Sequence, residues 1–275
     1  MKFNFDYKRI FLIIFLVESL SALSYFFPML NKAGFLAIAI LAIILSFYKL
    51  EYGIWLVIAD LLIGSKGGYL FYFESGEAVI SIRMALWLIV MAVWAGKTIN
   101  SRIKNKKLEI DFFKSSYFSY FLILFIFISW GAVNGFLQGN DYGNIFFDFN
   151  NWLYFLLIFP IYDVLSSSED RLKDFFKLFL ACFAWIIFKT FFLLFIFSHN
   201  ITGVVDWLYR WVRITGVGEI TNMGLGFSRI FLQSQVFVLI GFFIFLFFLI
   251  EIIKEDNYLK NKKFWFSFIG FCASL

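Results

Sequence analysis

The chain is poor in the residues that metal centres and disulfide frameworks require. It holds one histidine, His199, and two cysteines, Cys182 and Cys272. Both cysteines fall inside apolar runs without metal-ligand spacing, so neither a His-rich metal site nor a disulfide between them is expected. Charge is also scarce, at 16% of residues against 62% hydrophobic, with a mean hydropathy of +0.84. A soluble domain of this length would expose more charge. No Walker or Rossmann glycine pattern is present, and no clear internal repeat marks the chain as the paired halves of a transporter.

What remains is apolar sequence in runs near bilayer-spanning length, which predicts an all-α, polytopic helical membrane protein. Spans are expected at 10–27, 34–48, 52–64, 81–96, 116–136, 150–165, 175–197 and 229–253, and a ninth opens at Phe264. Segments 34–48 and 52–64 are short and closely spaced, as in a tight helical hairpin around 50–52. The run from Phe264 still reads as helix at Leu275, and twelve helical residues cover only about 18 Å of a roughly 30 Å hydrocarbon core. Residues 1–275 therefore read as a single transmembrane domain, expected to continue in a longer protein with a long outer loop and later spans. The first span, with Lys8-Arg9 before it and small residues after it, resembles a signal peptide but fits an uncleaved anchor better. The 43 phenylalanines suit lipid-facing positions, where any large apolar side chain serves.

Basic residues orient the chain. With the N-terminus in the cytoplasm, inward segments carry 17 lysines and arginines and outward segments carry 6. This split follows the positive-inside rule. The run KTINSRIKNKK at 97–107 is then a topological stop signal and not a nucleic-acid patch.

The outer segment from His199 to Ser228 runs against that bias, because it carries arginines. Wound as a helix, residues 202–213 place Asp206, Arg210 and Arg213 within about 60° of one another, with Val204, Leu208 and Trp211 opposite. Such a helix lies in the membrane interface, its tryptophans at headgroup level. Gly216, Gly218, Gly224 and Gly226 follow and permit close backbone approach to a ligand. Arg229 is expected to open the next span, at the positive end of its dipole. Arg210, Arg213 and Arg229 then form a candidate site for a phosphate or pyrophosphate, since a guanidinium offers paired hydrogen bonds to such anions. Glu219 is the candidate base for a hydroxyl. The competing interpretation is that these arginines only anchor to lipid headgroups.

Glu18, Asp60, Arg83 and Lys189 interrupt apolar spans, where a charge normally faces the bundle interior or a wet cavity. Lys189 has Glu18 or Asp60 as candidate structural partners. Alternatively, Arg83, Lys189 and Gln233 line a cavity beside the outer loop, with Gln233 and Gln235 available to sugar hydroxyls. The loop before Arg83 offers Lys66, Glu74 and Glu77; either acid could serve as a base, but the preferred reading is that both acids are ordinary solvated residues.

Three stretches carry a family resemblance: YKLEYGIWLVIADLLIG, ISIRMALWLIVMAVW and RITGVGEITNMGLGFSRIFLQSQ. In these and in overall layout the chain resembles the N-terminal portion of the O-antigen ligase and O-antigen polymerase family. The resemblance implies transfer of a glycan from an undecaprenyl-pyrophosphate carrier to an acceptor hydroxyl. It places the reaction on the outer face of a bacterial inner membrane, with a lipid A core sugar or another lipid-linked glycan as acceptor. It implies no metal, no nucleotide sugar and no nucleic-acid partner. By motif position it assigns pyrophosphate binding to Arg213 and Arg229, with Arg210 added from the helical wheel. A transporter or flippase of an anionic lipid-linked substrate, and a purely structural membrane protein, are the alternatives from other classes.

Overall fold

A computed structural model describes residues 6–64, 70–75, 78–105, 111–224, 227–254 and 261–274. Lys66, Glu77 and Gly226, singled out above, lie outside the described residues. Among the described residues the regular structure is helical apart from two short β-hairpins. In order it forms α1 (Tyr7–Ser24), α2 (Pro28–Tyr48), α3 (Leu50–Ile63), β1 (Tyr72–Ser75), β2 (Ala78–Ser81), α4 (Ile82–Asn105), α5 (Phe118–Leu137), α6 (Tyr142–Leu153) and α7 (Ile158–Leu165). There follow α8 (Glu169–Ser198), α9 (Val205–Thr215), β3 (Gly218–Gly224), β4 (Phe227–Leu232), α10 (Val236–Ile253) and α11 (Lys262–Ser274).

Six helical segments among the described residues are long and apolar enough to cross a bilayer. They are α2, α4 to Ser101, α5, the continuous run Tyr142–Leu165 through α6 and α7, α8, and Gln233–Ile253 around α10. The chain is thus a multi-pass helical membrane protein, but the expected nine spans are not met. α1 is 18 residues long and carries Lys8, Arg9 and Glu18. α3 has 14 residues and at 1.5 Å per residue reaches only about 20 Å. α11 is described over the 13 residues Lys262–Ser274.

Two span boundaries move outward from the sequence reading. α2 begins at Pro28, not near residue 34, because proline suits the first helical position, where its missing N–H is not needed. The sixth span begins at Tyr142, not near 150, with Asp141 as N-cap accepting a 2.9 Å bond from the Gly143 N–H. The polar residues Asn144, Asp148, Asn150 and Asn151 had interrupted the apolar run there.

Contacts divide the chain into two compact units. The first comprises residues 1–40, 55–84 and 174–275. In it, α8 supplies much of the core through Leu178, Cys182, Ile186 and Leu193, all at most 3% exposed. Ring-against-glycine contacts tighten this core: a Cβ on Gly34 would lie 2.4 Å from the Phe71 ring, and one on Gly241 would lie 2.2 Å from Phe183. β1 and β2 pair antiparallel with Tyr72 opposite Ser81. The buried Asn31 side chain acts as a third partner of this hairpin, donating to the Tyr72 carbonyl at 2.8 Å and accepting from its N–H at 3.1 Å.

The second unit comprises residues 41–54 and 85–173. Its centre is Phe112, 1% exposed, against which Phe118, Phe121, Phe159 and Tyr162 stand edge-on. Edge-to-face aromatic pairs add about 0.5–1.5 kcal/mol each beyond burial. The tight turn expected near 50–52 is present, with Gly53 so close to Ser46 that a Cβ would strike its hydroxyl at 2.0 Å. The Lys97 ammonium donates to the Ser46 carbonyl at 3.1 Å, and Trp94 Nε1 donates to Asp163 at 2.8 Å. No residue of α5 is buried, and its exposed phenylalanines and Trp130 face outward as lipid-facing side chains do.

Candidate functional site

The segment after α8 folds as an amphipathic helix followed by a β-hairpin. α9 buries Leu208, Trp211 and Val212 and exposes Asp206, Arg210 and Arg213. The helical-wheel partition is therefore the observed one, with the helix placed at Val205–Thr215 instead of 202–213. It ends at Gly216, whose left-handed φ of 68° strongly favours glycine. Val217, fully buried, accepts a bond from the Gln233 N–H at 3.2 Å.

β3 and β4 pair antiparallel, with Glu219 opposite Phe231 and Thr221 opposite Arg229. Alternation sorts the side chains by face. Gly218, Ile220 and Leu232 are buried, while Glu219, Thr221, Arg229 and Phe231 are exposed. Because partners across a strand pair share a face, Arg229 lies diagonal to Glu219, roughly 7–8 Å away between backbones. Arg213 on α9 also reaches Glu219, with Nη1 to Oε1 at 3.9 Å. Glu219 thus neighbours Arg213 and shares a hairpin face with Arg229. These side chains are about half exposed where measured, 49% for Arg213 and 57% for Glu219, so the contact is loose and solvated. Arg210, one turn earlier on α9, is also exposed.

Two expectations are corrected here. Arg229 does not open a transmembrane helix: it lies within β4, and α10 begins only at Val236. A helix N-terminus therefore adds nothing at this arginine. The glycines, too, are occupied by the backbone. Gly216 ends the helix, Gly224 takes φ 82° beside the irregularity in the hairpin, and Gly218 is pressed against the partner strand. A Cβ on Gly218 would lie 2.3 Å from the Phe231 carbonyl oxygen. Glycine-rich sequence here encodes a turn and a tight strand pair, a signal that alternation in GEITNMG and FSRIFL also carries.

The charges that interrupt the apolar runs are paired. Lys189 Nζ donates to Glu18 Oε1 at 2.8 Å, with both side chains at most 5% exposed. Arg83 takes Asp60, with Nε to Oδ2 at 2.8 Å, and also donates from Nη2 to the Asp60 carbonyl at 3.1 Å. That carbonyl belongs to the last turn of α3 and also accepts from the Gly64 N–H, so Arg83 caps the helix C-terminus. Arg83 is therefore a clamp on α3. Lys189 and Glu18 do line a cavity of about 470 Å³, together with Trp185, Phe188, Trp207 and Trp211 from α8 and α9. The Gln233 backbone N–H donates to the Val217 carbonyl beneath the hairpin, and neither Gln233 nor Arg83 lines this cavity.

His199 caps the end of α8, with Nδ1 2.9 Å from the Phe195 carbonyl. Cys182 and Cys272 are both free thiols. No family model, curated protein or solved structure matches the chain.

Proposed function

We propose that the chain is part of a membrane glycosyltransferase that moves a glycan from undecaprenyl pyrophosphate to an acceptor hydroxyl. The acceptor is a lipid A core sugar or another lipid-linked glycan, and the reaction takes place at the outer face of a bacterial inner membrane. The observation that carries this reading is the exposed Arg213–Glu219 contact beside a hairpin face that also carries Arg229.

Sidedness supports it. The hairpin is separated from residues 97–117 by three apolar crossings, α5, the α6–α7 run and α8, and from residues 254–263 by one, α10. Residues 97–117, 166–177 and 254–263 hold 13 lysines and arginines, while 138–141 and 199–232 hold 3. The basic segments belong in the cytoplasm, so the hairpin and the N-terminal end of α6 belong outside. This inference does not depend on whether α1 or α3 crosses.

The chemistry follows from the charges. A glycosyl C–O bond to pyrophosphate breaks as the acceptor oxygen bonds to the same carbon, and negative charge grows on the leaving diphosphate. Guanidinium groups at fixed positions stabilise that charge. Glu219, beside Arg213, accepts the proton of the acceptor hydroxyl. Exposed Ile214, Phe227 and Phe231 give the face an apolar rim at which a polyprenyl chain can rest in the interface.

The test is replacement of Arg213 and Arg229 by alanine in cells, scoring glycan chain length and attachment to lipid A at matched protein levels. Loss of product by at least about 100-fold, with partial recovery by lysine, is expected, because lysine keeps the charge and loses the paired geometry. Normal product from both alanine variants would remove the reading.

A further inference from the structure

The transfer chemistry leaves one polar region unused. α5 and α6 fold back on each other through residues 138–141, where Gly139 takes φ 73° and the Asn140 N–H bonds to the Gly135 carbonyl at 3.1 Å. Between the helices runs an open groove of about 520 Å³. α5 contributes the small residues Gly131 and Gly135 beside the apolar Leu124, Phe127 and Ile128, and a Cβ on Gly131 would meet nothing within 4 Å. The opposite wall carries Asn140, Asn144, Asp148 and Trp152.

The last three recur every fourth residue, so they stack on one face of α6, about 6 Å apart along its axis. The polar side chains of Asn140, Asn144 and Asp148 have no hydrogen-bond or ion-pair partner among the described residues. All three are exposed into the groove, although Asn144 and Asp148 belong to a segment apolar enough to span a membrane. Amide and carboxylate groups left facing hydrocarbon are costly, so the groove is a wet one that a polar ligand can enter. Its chemistry is specific. Amides and a carboxylate offer donors and acceptors that match vicinal hydroxyls, and the indole of Trp152, 40% exposed, offers a flat apolar surface for a sugar ring. Bare acyl chains would leave these hydrogen bonds unmade, and a plain apolar helix would do the same.

We propose that the α5–α6 groove is a glycan subsite. Asn140, Asn144 and Asp148 hydrogen-bond the hydroxyls of a short oligosaccharide, and a ring rests on Trp152. The proposal rests on the glycan-transfer reading for the identity of its ligand.

The experiment uses the whole chain in phosphatidylcholine nanodiscs and saturation-transfer NMR with maltotriose, chitotriose and a rhamnose disaccharide as probes. Saturable binding of at least one probe is expected. Combined Asn144→Leu and Asp148→Leu should weaken it about tenfold or more, Asp148→Asn should largely retain it, and Arg213→Ala should leave it unchanged. The leucine changes fall on an exposed face, and thermal unfolding verifies that the variants fold. Absence of binding by every probe would overturn the subsite, as would unchanged binding in the double variant. A change in oligomeric mass of the double variant would also overturn it, by making the groove a helix-docking face. Sugar binding that persists while farnesyl pyrophosphate fails to bind at the arginine face would remove the transfer reading and leave the subsite standing.

Discussion

Two kinds of cation–carboxylate contact occur in this molecule. Glu18 and Lys189 meet at 2.8 Å with side chains at most 5% exposed, whereas Arg213 and Glu219 approach only to 3.9 Å and are about half exposed. Asp60 and Arg83 lie between these cases, at 2.8 Å with Arg83 20% exposed. The difference separates architecture from availability. A charge sealed in apolar surroundings must be paired, and once paired it has little left to offer a ligand. A charge held loosely at a solvated surface contributes little to folding and can exchange its partner for a diphosphate.

Breaking each contact in turn should reveal that order. Glu18→Ala removes the carboxylate that faces a buried ammonium and is expected to cost on the order of 3–5 kcal/mol, read as a large drop in thermal midpoint or loss of folded protein in detergent. Replacing both partners by leucine should restore most of the loss, which distinguishes an unpaired charge from lost packing. Asp60→Ala should cost less, about 1.5–3 kcal/mol, because Arg83 keeps its bond to the Asp60 carbonyl and some access to solvent. Arg213→Ala should shift stability by under about 0.5 kcal/mol. A ranking with Arg213 first would make the outer arginines structural and undo the distinction.

Much of the membrane architecture was legible as apolar run length, because a helix must satisfy its backbone internally and span about 30 Å. Run length misleads where function or packing inserts polar residues. The stretch from Tyr142 to Phe149 is helix despite Asn144 and Asp148, and α1 carries Glu18 in a segment that reads as a span. The buried partner of Lys189 was legible only as a choice between Glu18 and Asp60. The choice was made by packing, over 171 residues of chain in the case of Glu18. The outer loop was legible as an amphipathic helix, since period and capping glycine lie within one short window. The β3–β4 hairpin was not, because glycine content concealed the alternation that places Glu219 and Arg229 on one face. Arg229 consequently moved from a helix terminus to a strand, and its proximity to Glu219 is a product of register.

The most direct test of the account is binding of farnesyl pyrophosphate to the chain in nanodiscs, measured by titration calorimetry for the wild type, Arg213→Ala, Arg229→Ala and Arg229→Lys. The account predicts binding that weakens at least about tenfold in each alanine variant, with the lysine variant intermediate. Equal affinity in all four proteins would contradict it.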